Sequence, residues 1–313
     1  FIPQMVREAL PPSRYDLPKE IQRRLCESGQ IEAEFTKEDL DRYRESYFQQ
    51  SIRSVLEVIK DSNCRYVVIL GDPGSGKSTL LQYLALQWAE QPTEQLPLLV
   101  ELRGYAPDRA APTSFLKFFH QGTRTIQKLN QAKLDEHLKD KGALVMFDGL
   151  DEVINRDRQE EVITEIISFT NEYKKARVVV TSRIVGYNPE PLGNAEFRHF
   201  TLQDLSPEQI AEFIQKWHDL ALEKDPDKEL LQKRLQDAIA NYKAIAELAG
   251  NPLLLTMMAI LNRHEELPRN RAELYKEASK VLLYAWDVDH KKLQISPDAI
   301  ESPEKQAMLR QIA

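Results

Sequence analysis

The chain has 313 residues, room for about two domains at roughly 150 residues each. Its 42 basic and 49 acidic side chains leave a net charge of −7, with 42% apolar and 29% charged residues. This excludes a disordered, collagen-like or disulfide-stapled chain and argues against direct nucleic-acid binding, which usually needs a basic balance.

Residues 18–28 carry Ile21 and Leu25 at helical spacing, and Gly29 stands where a helix ends. Thr36, with Asp39 three residues on, opens a longer helical pattern with the stripe Leu40, Tyr43, Tyr47, Ile52, Val55 and Ile59. Residues 1–60 therefore read as a helical lead-in. Short apolar runs then alternate with helical stretches, at 66–70, 97–102, 143–147, 177–181 and 198–202. Continuous Val, Ile and Leu, rather than strict alternation, predicts strands buried on both faces of a parallel sheet. The connections are long enough for βαβ crossovers. The expected fold is α/β over 61–204, a five-stranded parallel sheet flanked by helices. Beyond 205 the strand pattern stops. Ser206-Pro207-Glu208-Gln209 reads as an N-cap with Pro at the first helical position and Gln two further on. Pro226, Pro252 and Pro268 divide the rest of this region into three more helical stretches. The last, 271–287, sets Leu274, Ala278, Val281, Leu282 and Ala285 on one face. An all-helical domain over 205–290 is expected.

Two cysteines without CxxC spacing, Cys26 and Cys64, suggest a reducing, cytoplasmic setting. The six scattered histidines show no metal-ligand spacing. No run of 18 apolar residues and no signal-peptide pattern predicts a membrane span or export. The start at Phe1 and the uncapped amphipathic run PEKQAMLRQIA lead us to expect a piece of a longer polypeptide.

Glycine occurs only 11 times, about half its average usage, yet Gly71, Gly74 and Gly76 fall within six positions. They belong to GDPGSGKST: Gly71, Asp72, Pro73, Gly74, Ser75, Gly76, Lys77, Ser78 and Thr79. The segment follows the apolar run YVVIL, precedes a helical pattern and matches G-x-x-x-x-G-K-[ST]. Successive backbone N–H groups and a helix N-terminus form an anion cradle there. Lys77 would reach the outer phosphates of a nucleotide and the Ser78 hydroxyl would ligate Mg²⁺. In ALVMFDGLDE (143–152), Asp148 ends a hydrophobic strand, where a carboxylate is costly unless it meets a cation. It is the second Mg²⁺ candidate. Asp151 and Glu152 are candidates for polarising the attacking water, Glu152 being favoured. In VVVTSR (178–183), Arg183 ends a strand at the sheet's carboxyl edge, where a guanidinium could sense a terminal phosphate. Pro252 in GNPLLLTMMAIL (250–261) opens a core helix.

The order of these four segments resembles the NACHT family of STAND nucleotide-switch ATPases. DGLDE is the most specific element, with a small residue after the strand-end Asp and acids three and four positions beyond it. RRLCESGQIEAEF before the phosphate loop and RAELYKEASKVLLYAWD in the helical part resemble bacterial, and especially cyanobacterial, members. The resemblance implies that Gly71 to Thr79 bind the phosphates of ATP or ADP and Mg²⁺, with Asp148 the metal acid. It implies catalytic roles for Lys77, Asp151 and Glu152, a sensor role for Arg183 and packing of Pro252 on or near the adenine. It also implies the start of a winged-helix domain over 291–313, recognisable from about 302, and effector and sensor domains outside this sequence. The function implied is a slowly hydrolysing ATP switch for signalling, in a defence setting. Its ADP/ATP exchange rearranges domains and permits a homo-oligomer in the ATP state. A constitutive ATPase remodeller of the AAA+ type, or a nucleotide-binding scaffold, remain alternatives. No N-K-x-D base-reading motif supports a GTPase.

Overall fold

The computed structural model describes residues 1–11, 37–93, 95–105, 114–121 and 129–280. It divides into two units, one comprising Pro3–Gln203 and a second opening at Asp204. The expected helix over 18–28, the Thr36 cap and the domain start over 291–313 lie outside the described residues.

The first unit is built on a seven-stranded sheet. In chain order the strands are β1 Met5–Arg7, β2 Ile52–Ser54, β3 Tyr66–Leu70, β4 Leu96–Glu101, β5 Ala143–Asp148, β6 Arg177–Ser182 and β7 Arg198–Leu202. Their order across the sheet is β2-β1-β7-β3-β6-β5-β4. The five strands from β7 to β4 are mutually parallel, as the apolar runs predict. The side chains of β3 show why these runs need not alternate. Val68 and Leu70 pack with Val145, Phe147, Val178 and Val180 on one face. Val67 and Ile69 pack on the other with Met146, Val179, Phe200 and Leu80, Leu81 and Leu84 of the helix after β3. Both faces are therefore core.

Two corrections concern the lead-in. The sheet has seven strands rather than five, because the lead-in supplies β1 and β2, which run antiparallel at the β7 edge. The long helix expected from 36 to 59 is also broken. Helix α1 spans Lys37–Gln49, β2 comes next, and a separate helix α2 spans Val55–Lys60. Arg7 explains the break. Its guanidinium donates to the carbonyls of Tyr47 and Phe48 in the last turn of α1, and to that of Gln50 just past it. A helix end whose orphan carbonyls are satisfied this way has no need to continue. Ile52–Ser54 then pairs with β1.

The second unit is helical, over Pro207–Ala221, Lys228–Asn241, Lys243–Ala249, Pro252–Leu261 and 271–280. Among the described residues that is one helix more than the prolines predicted, since Tyr242 interrupts a stretch that has no proline. Ser206 and Gln209 form the expected capping box at its entry, each side chain bonding the other's main-chain N–H. Leu205, Ile214, Leu235, Leu255, Met258 and Leu274 are among the residues of its core. Among the described residues no helix is long and apolar enough to cross a membrane.

Candidate functional site

The strand β3 is buried and delivers the chain at Gly71 to the carboxyl edge of the sheet. The loop 71–76 turns there and becomes helix α3, Lys77–Glu90. Gly76 caps this helix in the left-handed region at φ 91°, where a side chain would be strained. The glycine spacing read from the sequence is thus a backbone requirement. The Lys77 ammonium folds over the loop and donates to the carbonyls of Gly71 at 2.8 Å and Asp72 at 3.0 Å. It also lies 3.4 Å from Ser75 Oγ. Ser78 and Thr79 stand in the first turn of α3, and Asp72 and Pro73 are exposed in the loop.

The acidic segment meets this loop because β6 lies between β3 and β5. Asp148, the last residue of β5, accepts a hydrogen bond on Oδ1 from Thr181 Oγ1 at 2.6 Å. The same hydroxyl accepts from the buried Gly149 N–H at 2.9 Å. One β6 side chain therefore holds both the strand-end carboxylate and the turn after it. Gly149 stands at φ 77°, and a Cβ there would come within 3.1 Å of Glu152. The chain then makes a single 3₁₀ turn, Leu150–Glu152. That turn separates the two acids. Asp151 accepts from the Arg183 main-chain N–H at 2.9 Å, and its other oxygen lies 2.9 Å from Arg183 Nε. The Glu152 side chain is exposed, with no hydrogen bond or ion pair among the described residues.

Electrostatics ties these groups together. Burial pushes the Lys77 ammonium below its usual pKa; Asp151, Asp72 and Asp148 oppose that shift, and Arg183 adds to it. The structure thus brings Lys77, Asp72, Asp148, Asp151 and Arg183 to one locality. It fits Mg²⁺ by the chemistry of its donors, a Ser78 hydroxyl and a strand-end Asp148 carboxylate. Mg²⁺ takes one or two carboxylates and fills its shell with phosphate and water oxygens. No group of three or more His, Cys, Asp or Glu side chains suited to a metal occurs among the described residues.

Pro252 belongs to the second unit, where it opens a helix behind Asn251, whose Oδ1 accepts from the Leu253 and Leu254 N–H groups. Gly250 before it has a packing reason of its own, since a Cβ there would lie 3.0 Å from Asp204 Cβ. Sequence reasoning missed two contacts. Thr181 stands within the quoted VVVTSR, but its bond to Asp148 spans 33 positions. Gln4 lies in the lead-in, and its side-chain amide donates to Ser75 O of the loop 71–76 at 2.7 Å.

A family model described as the NACHT domain matches residues 65–221. No curated protein matches the chain. Among solved structures, the chain is similar to domain III of the replication initiation protein DnaA from Thermotoga maritima. Identity is 18% and the TM-score 0.37, over 68% of this chain and 90% of that one. C. elegans PCH-2 matches at 17% identity and TM-score 0.39, over 72% and 63% of the two chains. CDC6P from Pyrobaculum aerophilum matches at 15% and 0.38, over 63% and 55%.

Proposed function

Because the chain belongs to the NACHT-domain family, we propose that it is a P-loop nucleoside triphosphatase acting as an ATP/ADP switch. Residues 71–79 bind the phosphates through main-chain N–H groups, with Lys77 on the outer phosphates. Ser78 and Asp148 would hold Mg²⁺, which when bound neutralises charge on the phosphate oxygens. Glu152 is the residue that orients and polarises the attacking water. It is favoured over Asp151 because the Asp151 carboxylate already serves Arg183 at both oxygens.

The observation that carries the switch reading is this Asp151–Arg183 pair beside Lys77. A guanidinium held by a carboxylate can exchange that partner for a terminal phosphate, which ATP has and ADP lacks. Moving a two-state protein from about 1:99 to about 99:1 takes about 5.5 kcal/mol of differential binding. Contacts of Lys77 and Arg183 to a γ-phosphate in one state only are a source of that difference. We further propose that the exchange rearranges the helical unit and permits self-association in a signalling role, with defence the setting the family resemblance suggests.

Steady-state hydrolysis and particle size, measured with ADP and with Mg·ATP, test this. The expected turnover is far below the about 10 per second typical of enzymes. Glu152→Gln should lower it about 100-fold while ADP affinity is kept. Rapid, sustained turnover with no change of size between nucleotides would refute the switch and favour a constitutive remodeller.

A further inference from the structure

The buried amide of Gln4 serves the phosphate loop from outside the motif. Gln4 is 3% exposed, so its polar head is costly to bury unless paired. Its partner is the Ser75 carbonyl, 2.7 Å from Nε2. A carbonyl can only accept, so the amide must present its NH₂ there. Its oxygen faces the next residue, lying 3.0 Å from where a Gly76 Cβ would stand.

The side chain is delivered rigidly. The Gln4 carbonyl accepts from the Val55 N–H at 3.0 Å, and the Met5 carbonyl from the Gln203 N–H at 2.9 Å. Val6 and Arg7 pair with Leu202 and Thr201 of β7. Strand β7 is itself the neighbour of β3, which carries the loop.

Geometry gives the contact a consequence. The described residues include no cis peptide, so the Ser75–Gly76 peptide is planar and trans. Its C=O and N–H point to opposite edges. Fixing the Ser75 carbonyl on Gln4 therefore fixes the Gly76 N–H on the edge away from Gln4. Loop N–H groups of this kind are the donors that bind phosphate. With Gly74 at φ 76° and Gly76 at φ 91°, Ser75 sits between two residues that resist little rotation. An outside anchor is what such a segment lacks.

We propose that Gln4 is a positioning residue for nucleotide binding, holding the Ser75–Gly76 peptide so that the loop is preorganised for phosphate. The inference rests on the reading of residues 71–79 as a nucleotide site. It makes nucleotide affinity depend on β1 being seated in the sheet.

The test titrates ADP and ATP, each with Mg²⁺, into wild type, Gln4→Leu, Gln4→Glu and Lys77→Ala, alongside melting without nucleotide. Gln4→Leu keeps the volume and removes the donor. It should weaken ADP and ATP alike by about tenfold, a loss on the scale of one hydrogen bond. The melting temperature without nucleotide should fall only modestly, by what one unpaired carbonyl costs. In hydrolysis the loss should appear in KM rather than kcat. Gln4→Glu should bind more weakly still near neutral pH, because an ionised carboxylate cannot donate to Ser75. It should recover relative to wild type as acid protonates it, which a purely structural role would not produce. Should Gln4→Leu fail to fold, Gln4→Met takes its place. Wild-type affinity in the Leu or Met variant, or lost stability with intact affinity, would overturn the inference. If wild type itself binds neither nucleotide, the reading of residues 71–79 fails and takes this inference with it. If wild type binds, Lys77→Ala does not and Gln4→Leu matches wild type, only the Gln4 inference fails.

Discussion

Thr181 is fully buried, and its hydroxyl makes two bonds: it donates to Asp148 and accepts from the Gly149 N–H. Thr181→Val keeps the shape and leaves that N–H without a partner. It should cost about 1–3 kcal/mol in urea unfolding, and Thr181→Ser should restore most of the loss. A Val variant as stable as wild type would show that the hydroxyl bonds are not what fixes this turn. At this scale the phosphate loop could be read from the sequence because its demands are local. Gly74, Gly76, Lys77 and Ser78 are spaced by one turn of backbone, which no tertiary contact needs to supply. Thr181 and Gln4 could not be read that way, because each acquires its role from a partner 33 or 71 positions away that only the sheet order brings near.

At the scale of elements, β3, β5 and β6 follow from continuous apolar runs because two-sided burial leaves no alternation to misread. The lead-in was harder. Tyr47, Ile52, Val55 and Ile59 fit one helical stripe, yet Arg7, 40 and more positions earlier, ends α1 at its carbonyls. A three-residue strand is too short to outweigh helical periodicity in a sequence pattern. The helix Pro207–Ala221 carries a different feature, the fully buried His218. Its Nδ1 bonds the Ile214 carbonyl at 2.7 Å, and its Nε2 has no partner among the described residues. Burial holds its pKa below the usual 6.5. Because the folded-state pKa is the lower one, protonation favours the unfolded chain. The neutral ring therefore costs no pH-linked stability above about pH 6.5, and stability falls as pH drops from there towards the lowered folded value. His218→Leu should flatten that decline in helical circular dichroism tracked across pH 7 to 5. An unchanged acid profile would show that His218 is not its source.

On the scale of the whole molecule, the order β3-β6-β5 turns three separate motifs into one site. It brings the loop after β3, the Arg183 end of β6 and the acids after β5 to the same sheet edge. The chain's membership in the NACHT-domain family accords with that convergence, and the second, helical unit begins just after β7 at Asp204. We propose above that residues 71–79 hold a nucleotide, with Lys77 on its phosphates. The most direct measurement is the nucleotide content of the purified protein, released by acid and resolved by chromatography, with added ADP and Mg·ATP titrated in parallel. We expect close to one nucleotide per chain in wild type, with ADP prominent, and an empty, non-binding Lys77→Ala variant. A wild-type chain that carries no nucleotide and binds neither ADP nor ATP, or a Lys77→Ala variant that binds as wild type does, would contradict the account.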